Sequence, residues 1–163
     1  MEIREARPDD AAELAQIWLE FARHYASLDP DAFQIPAEEG LANWIETGIR
    51  ADNPSRRRLV ADIDGHIAGF AVGAIIEPAE HAERQLLADL GRKRLGIDAV
   101  ATAERFRRRG VATALIDELE RWGREEGAEL VLAETHAESP MSIPFWERRM
   151  SYERRSVRFV KRF

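Results

Sequence analysis

Apolar and polar residues alternate over residues 2–7 (EIREAR), the period of a short strand. The period then changes. Pro8-Asp9-Asp10 puts a proline and two acids where a helix starts, and Ala11, Leu14, Ile17, Trp18, Phe21 and Tyr25 follow at three- and four-residue steps. This predicts an amphipathic helix to about Ala26, broken by Leu28-Asp29-Pro30. Leu41, Trp44, Ile45 and Ile49 mark a second helix, which Asn53-Pro54 ends. Arg58–Ile63 and His66–Ile76 read as two strands joined by Asp64-Gly65, a two-residue hairpin turn whose residues tolerate positive φ. Residues 79–91 fit either a helix or a mobile loop. A buried strand is predicted at Leu95–Thr102, a helix at Gly110–Glu126 with Gly127 beyond its end, and a strand at Glu129–Thr135. Ser139–Met150 reads as a helix with Pro144 awkwardly inside it, and Tyr152–Phe159 as a last strand. The order is β-α-α-β-β-β-α-β-α-β, a mixed α/β (α+β) fold without an internal repeat.

Composition narrows the class. A chain of 163 residues with 45% hydrophobic and 33% charged residues suits one globular domain spanning residues 1–163, with a core that needs no staples. No apolar run is long enough to span a membrane, and the charged start MEIREARPDD is unlike a signal peptide, so a cytoplasmic protein is expected. The absence of cysteine excludes disulfides, thiolate metal sites and a cysteine nucleophile. The histidines show no metal spacing, and His24, His66 and His81 read as structural or exposed. A net charge of −6 argues against general nucleic-acid binding, although RFRRRG and the terminal RRSVRFVKRF could contact phosphates locally. Only Lys93 and Lys161 among the 24 basic residues are lysines. Most of that arginine excess is explained by a GC-rich genome. Arg56–Arg58, just before a strand, reads as a solvated edge.

The stretch AVATAERFRRRGVATALIDELERWGREEG carries the chemistry. A strand passes through a basic turn into a helix, whose first amides lack partners and whose N-terminus is partly positive. Gly110 and Ala112 keep the backbone open to an anion, and the arginines at 105 and 107–109 surround it. Neither a Walker loop nor a dinucleotide GxGxxG is present.

Arg107-Arg108-Arg109-Gly110-Val111-Ala112 resembles the R/Q-x-x-G-x-G/A signature of the GNAT superfamily, the acyl-CoA-dependent N-acyltransferases. The flanking IDAVATAERFRRRGVATALIDELERWGREEGAELVLAET, the later SPMSIPFWERRMSY and the opening IREARPDDAAELAQIW are similar to that family's corresponding blocks. The resemblance implies a mixed central sheet with helices on both faces. It implies acetyl-CoA as co-substrate and no metal. The acceptor would be a primary amine on a small molecule or peptide, attacking the thioester directly. Arg107, Arg108, Arg109, Gly110, Val111, Ala112 and Thr113 would hold the pyrophosphate, and Ala101, Thr102 and Ala103 the pantetheine arm. An amide near Val100–Thr102 would polarise the carbonyl. Ser139 and Trp146 stand where the family has its cofactor-contacting asparagine and its proton-donating tyrosine. Indole is no acid, so a water, Ser142 or Tyr152 would have to protonate the thiolate. Ser151 stands where the family has glycine, and the block is one residue longer.

A protonated amine must lose a proton before it attacks. Asp98, on the central strand among apolar neighbours, is the first candidate base, its alternative being a hydrogen-bonded strand carboxylate. Glu134 and His136 follow at the next strand's end. Tyr25, Phe33 and Trp44 are candidate acceptor-pocket residues, because the first two helices cover that site in the family. A non-catalytic acyl-CoA-binding module of the same fold is the alternative function, and the family's habit is compatible with a homodimer.

Overall fold

The structure, a computed structural model, describes residues 1–51 and 53–163. Strands β1 (Glu2–Glu5), β2 (Arg56–Ile63), β3 (His66–Ile76), β4 (Arg94–Thr102) and β5 (Leu130–Ala133) form one sheet in sequential order. The first four pair antiparallel, and β4 pairs parallel to β5. A parallel pair needs a crossover, which α3 (Val111–Glu125) supplies. Helices α1 (Ala11–Leu28) and α2 (Leu41–Arg50) lie on the other face. On that face Trp18 packs against Phe70 at 5.9 Å between ring centroids. On the α3 face a Cβ added at Gly73 would stand 3.2 Å from Leu119, and one at Gly69 2.8 Å from Val111. Glycines on β3 therefore let α3 sit close to the sheet. Leu95, Leu115, Ile116 and Leu119 are fully buried between them.

The hairpin turn forms as expected, with positive φ at Asp64 (54°) and Gly65 (81°). Asp10 anchors the start of α1. Its carboxylate accepts both Arg4 guanidinium nitrogens (2.8 and 2.9 Å) and the Arg7 amide (2.6 Å), while Arg4 also reaches Asp62 (3.1 Å). This joins β1, the first helical turn and β2.

One open alternative is resolved, and two expectations need correction. Residues 79–91 hold two short 3₁₀ turns, Ala82–Arg84 and Ala88–Gly91, in place of a full helix. The helix expected over Ser139–Met150 is a single turn, α4 (Ser142–Pro144), running into a π-helical turn at Phe145–Arg149. Pro144 lacks the amide that would continue a regular ladder. The strand expected at Tyr152–Phe159 is not formed. Its alternation is real, but a strand also needs a ladder partner. The segment is tied instead by ion pairs from Arg154 to Glu147, Arg155 to Asp89 and Arg158 to Glu134, leaving Val157, Phe159 and Val160 exposed.

Candidate functional site

The parallel ladder between β4 and β5 ends at the pair Ile97–Ala133, yet β4 continues to Thr102. The two strands therefore part, and the edge of β4 from Asp98 onward is left without a strand on that side. At the vertex the register against β3 also slips: Gly73 faces Ile97 and Val72 faces Ala99, so Asp98 is the extra residue of a bulge. A bulge twists the strand and re-aims a side chain. A cleft of about 660 Å³ opens from this vertex. Its floor is Ile97 to Thr102, and its walls are Phe21, His24 and Tyr25 of α1 on one side and Met141, Ser142, Phe145 and Trp146 on the other.

At its far end the cleft meets the start of α3. Arg108 (φ 65°) and Gly110 (φ 80°) both adopt the left-handed conformation, which turns the chain sharply into the helix. The first intrahelical bond runs from the Ala114 amide to the Gly110 carbonyl, and no side chain caps the end. The amides of Val111, Ala112 and Thr113 thus have no partner among the described residues. Arg107, Arg108 and Arg149 line the same region, and the Arg149 Nε donates to Thr113 Oγ1 (3.2 Å). Unpaired amides on a helix dipole with three guanidinium groups form a donor set for a multiply charged anion. The Glu20 carboxylate accepts the Glu104 amide (2.8 Å), pinning the basic turn to α1.

The Tyr25 hydroxyl spans the cleft, hydrogen-bonded to Thr135 Oγ1 (2.8 Å) and Ser142 Oγ (3.2 Å). His24, one residue earlier, has a buried Nε2 with no partner among the described residues. Burial, then the charge of Arg107, holds its pKa below the ordinary histidine value. Asp98 is 2.8 Å from Arg56, with its side chain 43% exposed.

The cleft brings together Asp98, Ala101, Thr102, Arg107, Arg108, Gly110, Val111, Ala112, Thr113, Glu134, Trp146 and Tyr25 from the sequence-based candidates. Others lie outside it. Ala103 is buried, its amide bonded to Ala68. The Arg109 guanidinium lies over the Phe106 ring at 5.5 Å. Ser139 is buried and its Oγ accepts the Ser142 amide (3.1 Å), so it shapes α4 from behind. Phe33 packs between Tyr25 and His136, and His136 sits 3.7 Å from Asp29. Trp44 is 64% exposed beside Trp18. The Tyr152 hydroxyl donates to Glu120 on α3 (2.9 Å). Burial, and then that carboxylate, push its pKa well above the ordinary tyrosine value, so it is fixed as a neutral structural donor. Glu134 borders the cleft but pairs with Arg158 (3.2 Å) at the surface. Sequence reasoning missed His24 and Arg149. The helical step from Phe21 to His24 was readable; the π-helical turn that aims Arg149 was not.

Among the described residues no group of His, Asp or Glu could hold a metal ion, and no helix is long and apolar enough to cross a membrane. The acetyltransferase (GNAT) family matches residues 13–152, and the chain belongs to that family. Its fold is that of solved relatives at low identity. A tetramutant of the BH1408 protein of Bacillus halodurans superposes with a TM-score of 0.85 at 16% identity, covering 100% of both chains. The ribosomal-protein-alanine N-acetyltransferase of Brucella melitensis biovar Abortus 2308 gives 0.69 at 19% identity, over 99% of this chain and 98% of that one. An acetyltransferase of Trypanosoma brucei gives 0.66 at 20% identity, over 99% of each chain. No curated protein matches the sequence.

Proposed function

We propose that the chain, acting as one domain, transfers an acetyl group from acetyl-CoA to a primary amine within a ternary complex. The observation that carries this reading is the continuous cleft from the parted β4 edge to the open start of α3. The residues present fit the cofactor. The amides of Val111 to Thr113 with Arg107, Arg108 and Arg149 suit a pyrophosphate, and the unpaired edge of Ala99 to Thr102 suits an amide-bearing arm. Gly110 is favoured by its left-handed φ, and a side chain there would project beside the anion.

Bound acetyl-CoA supplies the acyl group as a thioester: the amine nitrogen forms the new C–N bond as the C–S bond breaks and the electron pair leaves on sulfur. The chain's part is to position and to move protons. Asp98 offers a half-exposed carboxylate at the vertex, where it would receive the ammonium and take its proton toward solvent. A strand amide from β4 would donate to the developing oxyanion. A thiol titrating near ~8.5 leaves readily as thiolate, so a weak donor suffices. Ser142, held by Tyr25 in the wall, or a water meets that need without Trp146 or Tyr152.

The test is amine-dependent release of CoA across a panel of amines, with acetyl-CoA affinity measured in parallel. Release that depends on an amine supports transfer. Tight acetyl-CoA binding with no release from any amine would instead make this a non-catalytic acyl-CoA-binding module. Asp98→Asn is expected to lower kcat by about 10²–10⁴-fold with acetyl-CoA affinity preserved, the range of a general-base contribution.

A further inference from the structure

Strand alternation divides the run Arg56-Arg57-Arg58. Arg57 lies on the α3 face, its guanidinium 5.3 Å from the Trp122 ring and its Nε 3.2 Å from Glu5. Arg56 and Arg58 lie on the opposite face, with α2. They are half-buried and not fully solvated: Arg56 opens β2 and Arg58 lies two residues on, level with the vertex of the cleft. Arg56 faces Ala74, which faces Gly96, and Arg58 faces Val72, which faces Ala99. Strands two apart are separated by about 10 Å. The residues between are small, so a guanidinium can cross over them. Arg56 does so and meets Asp98 at 2.8 Å.

Arg58 has no carboxylate within 4.0 Å among the described residues. It is half-buried. Desolvation, then the neighbouring Arg56 charge, lowers its pKa, and Asp98 and Glu5 offset this only at longer range. Its guanidinium nitrogens are still reached by solvent, so an anion entering from solvent could pair with them. In front of it lies a second hollow of about 320 Å³, between β2 and the end of α2. Among the described residues its other charged walls are already engaged: Arg50 by Glu46 at 2.7 Å, Glu5 by Arg57 and Arg56 by Asp98. The Arg56–Asp98 pair joins this hollow to the main cleft.

We infer that the hollow receives an anionic group of the acceptor itself, so that the substrate is an amine that also carries a carboxylate or phosphate. The amine sits at Asp98, the anion at Arg58, and Arg56 bridges the two. This deepens the transferase reading and rests on it. A guanidinium fork matches either anion, and a charge-assisted pair is worth about a 10–100-fold change in affinity.

The test compares matched amines: 6-aminohexanoate with hexylamine, and glucosamine 6-phosphate with glucosamine. The anionic member of at least one pair is expected to show a KM at least tenfold below its uncharged partner, and the pair that discriminates names the anion. Arg58→Ala should collapse that ratio towards one, while Arg58→Lys, keeping the charge, should retain part of it. Equal KM values within both pairs, or a ratio that survives in Arg58→Ala, would overturn the inference. Calorimetric titration of both anionic amines into the CoA-loaded protein separates this from failure of the transferase reading. If no amine is acetylated, binding that is lost in Arg58→Ala still upholds the anion site, and no binding of either anion to the wild-type protein rejects it.

Discussion

At the scale of single residues, the polar contacts that matter most for stability lie away from the cleft. Burial alone would raise the Asp10 carboxyl, but Arg4 and the Arg7 amide outweigh it and hold its pKa below the ordinary carboxylate value. A depressed carboxylate contributes stability above its unfolded pKa of ~3.9 and loses it as pH falls through the folded value. Asp10→Asn is therefore expected to cost about 1.5–3 kcal/mol at neutral pH. Chemical denaturation should show that difference shrinking in acid, below about pH 4. Tyr152 runs the opposite way. Its raised pKa stabilises the fold below ~10, and that contribution fades as pH rises through the folded value. Tyr152→Phe should lower stability by about 1–2 kcal/mol through the lost bond to Glu120. A hundredfold loss of turnover in a folded Tyr152→Phe protein would instead return it to the chemistry. The residue types at both sites were legible in the sequence, but their partners were not, because Glu120 and Arg4 meet them only through the packing of α3 and β1.

At the scale of elements, β1, α1, α2, the β2–β3 hairpin, β4 and α3 were readable from periodicity and turn residues within a few positions. Each has a strong local signal that agrees with its burial. The elements that misled are those whose fate depends on a neighbour. Residues 152–159 alternate like a strand but find no ladder, and 139–150 has helical composition that Pro144 divides. The bulge at Asp98 left no trace in composition, since it is a property of the β3–β4 register. Two glycines test different parts of this arrangement, the seating of α3 on the sheet and the turn that leads into it. A Cβ at Gly69 would come within 2.6 Å of the Ala101 carbonyl oxygen, a backbone atom that cannot swing away. Gly69→Ala should cost about 1–3 kcal/mol by overpacking and should also weaken acetyl-CoA binding, because it displaces the floor of the cleft. Gly110→Glu has open space around its Cβ, so its effect is local. It adds a strained left-handed residue and a negative charge at the proposed pyrophosphate site. Acetyl-CoA binding should be lost with the fold intact by circular dichroism, and normal binding in that variant would place the pyrophosphate elsewhere.

At the scale of the whole molecule, the net charge of −6 conceals a division. Basic residues gather at two places around the parted strands: Arg107, Arg108 and Arg149 at the start of α3, and Arg56 and Arg58 beside the vertex. The acidic bulk would favour approach of the proposed amine acceptor, and the local cations would select what else it carries. Because Arg108 and Arg149 are exposed and Arg107 is half-buried, acetyl-CoA affinity should fall severalfold between ~50 and ~500 mM salt. A salt-independent Kd would mean that these guanidinium groups do not bear on the phosphates.

The parted edge of β4 has one more consequence. Beyond Ile97, β4 keeps its ladder with β3 as far as Thr102 but has lost β5, so the sheet is, in effect, one strand short there. A ligand arm lying along that edge would complete the ladder and act as the missing strand. Alternate amides between Asp98 and Thr102 should therefore exchange hydrogen quickly in the free protein and slowly with acetyl-CoA bound. The melting temperature should climb with cofactor concentration, by the equivalent of about 2.7 kcal/mol at a hundredfold excess over Kd. In that sense the cofactor would be the last piece of secondary structure to fold.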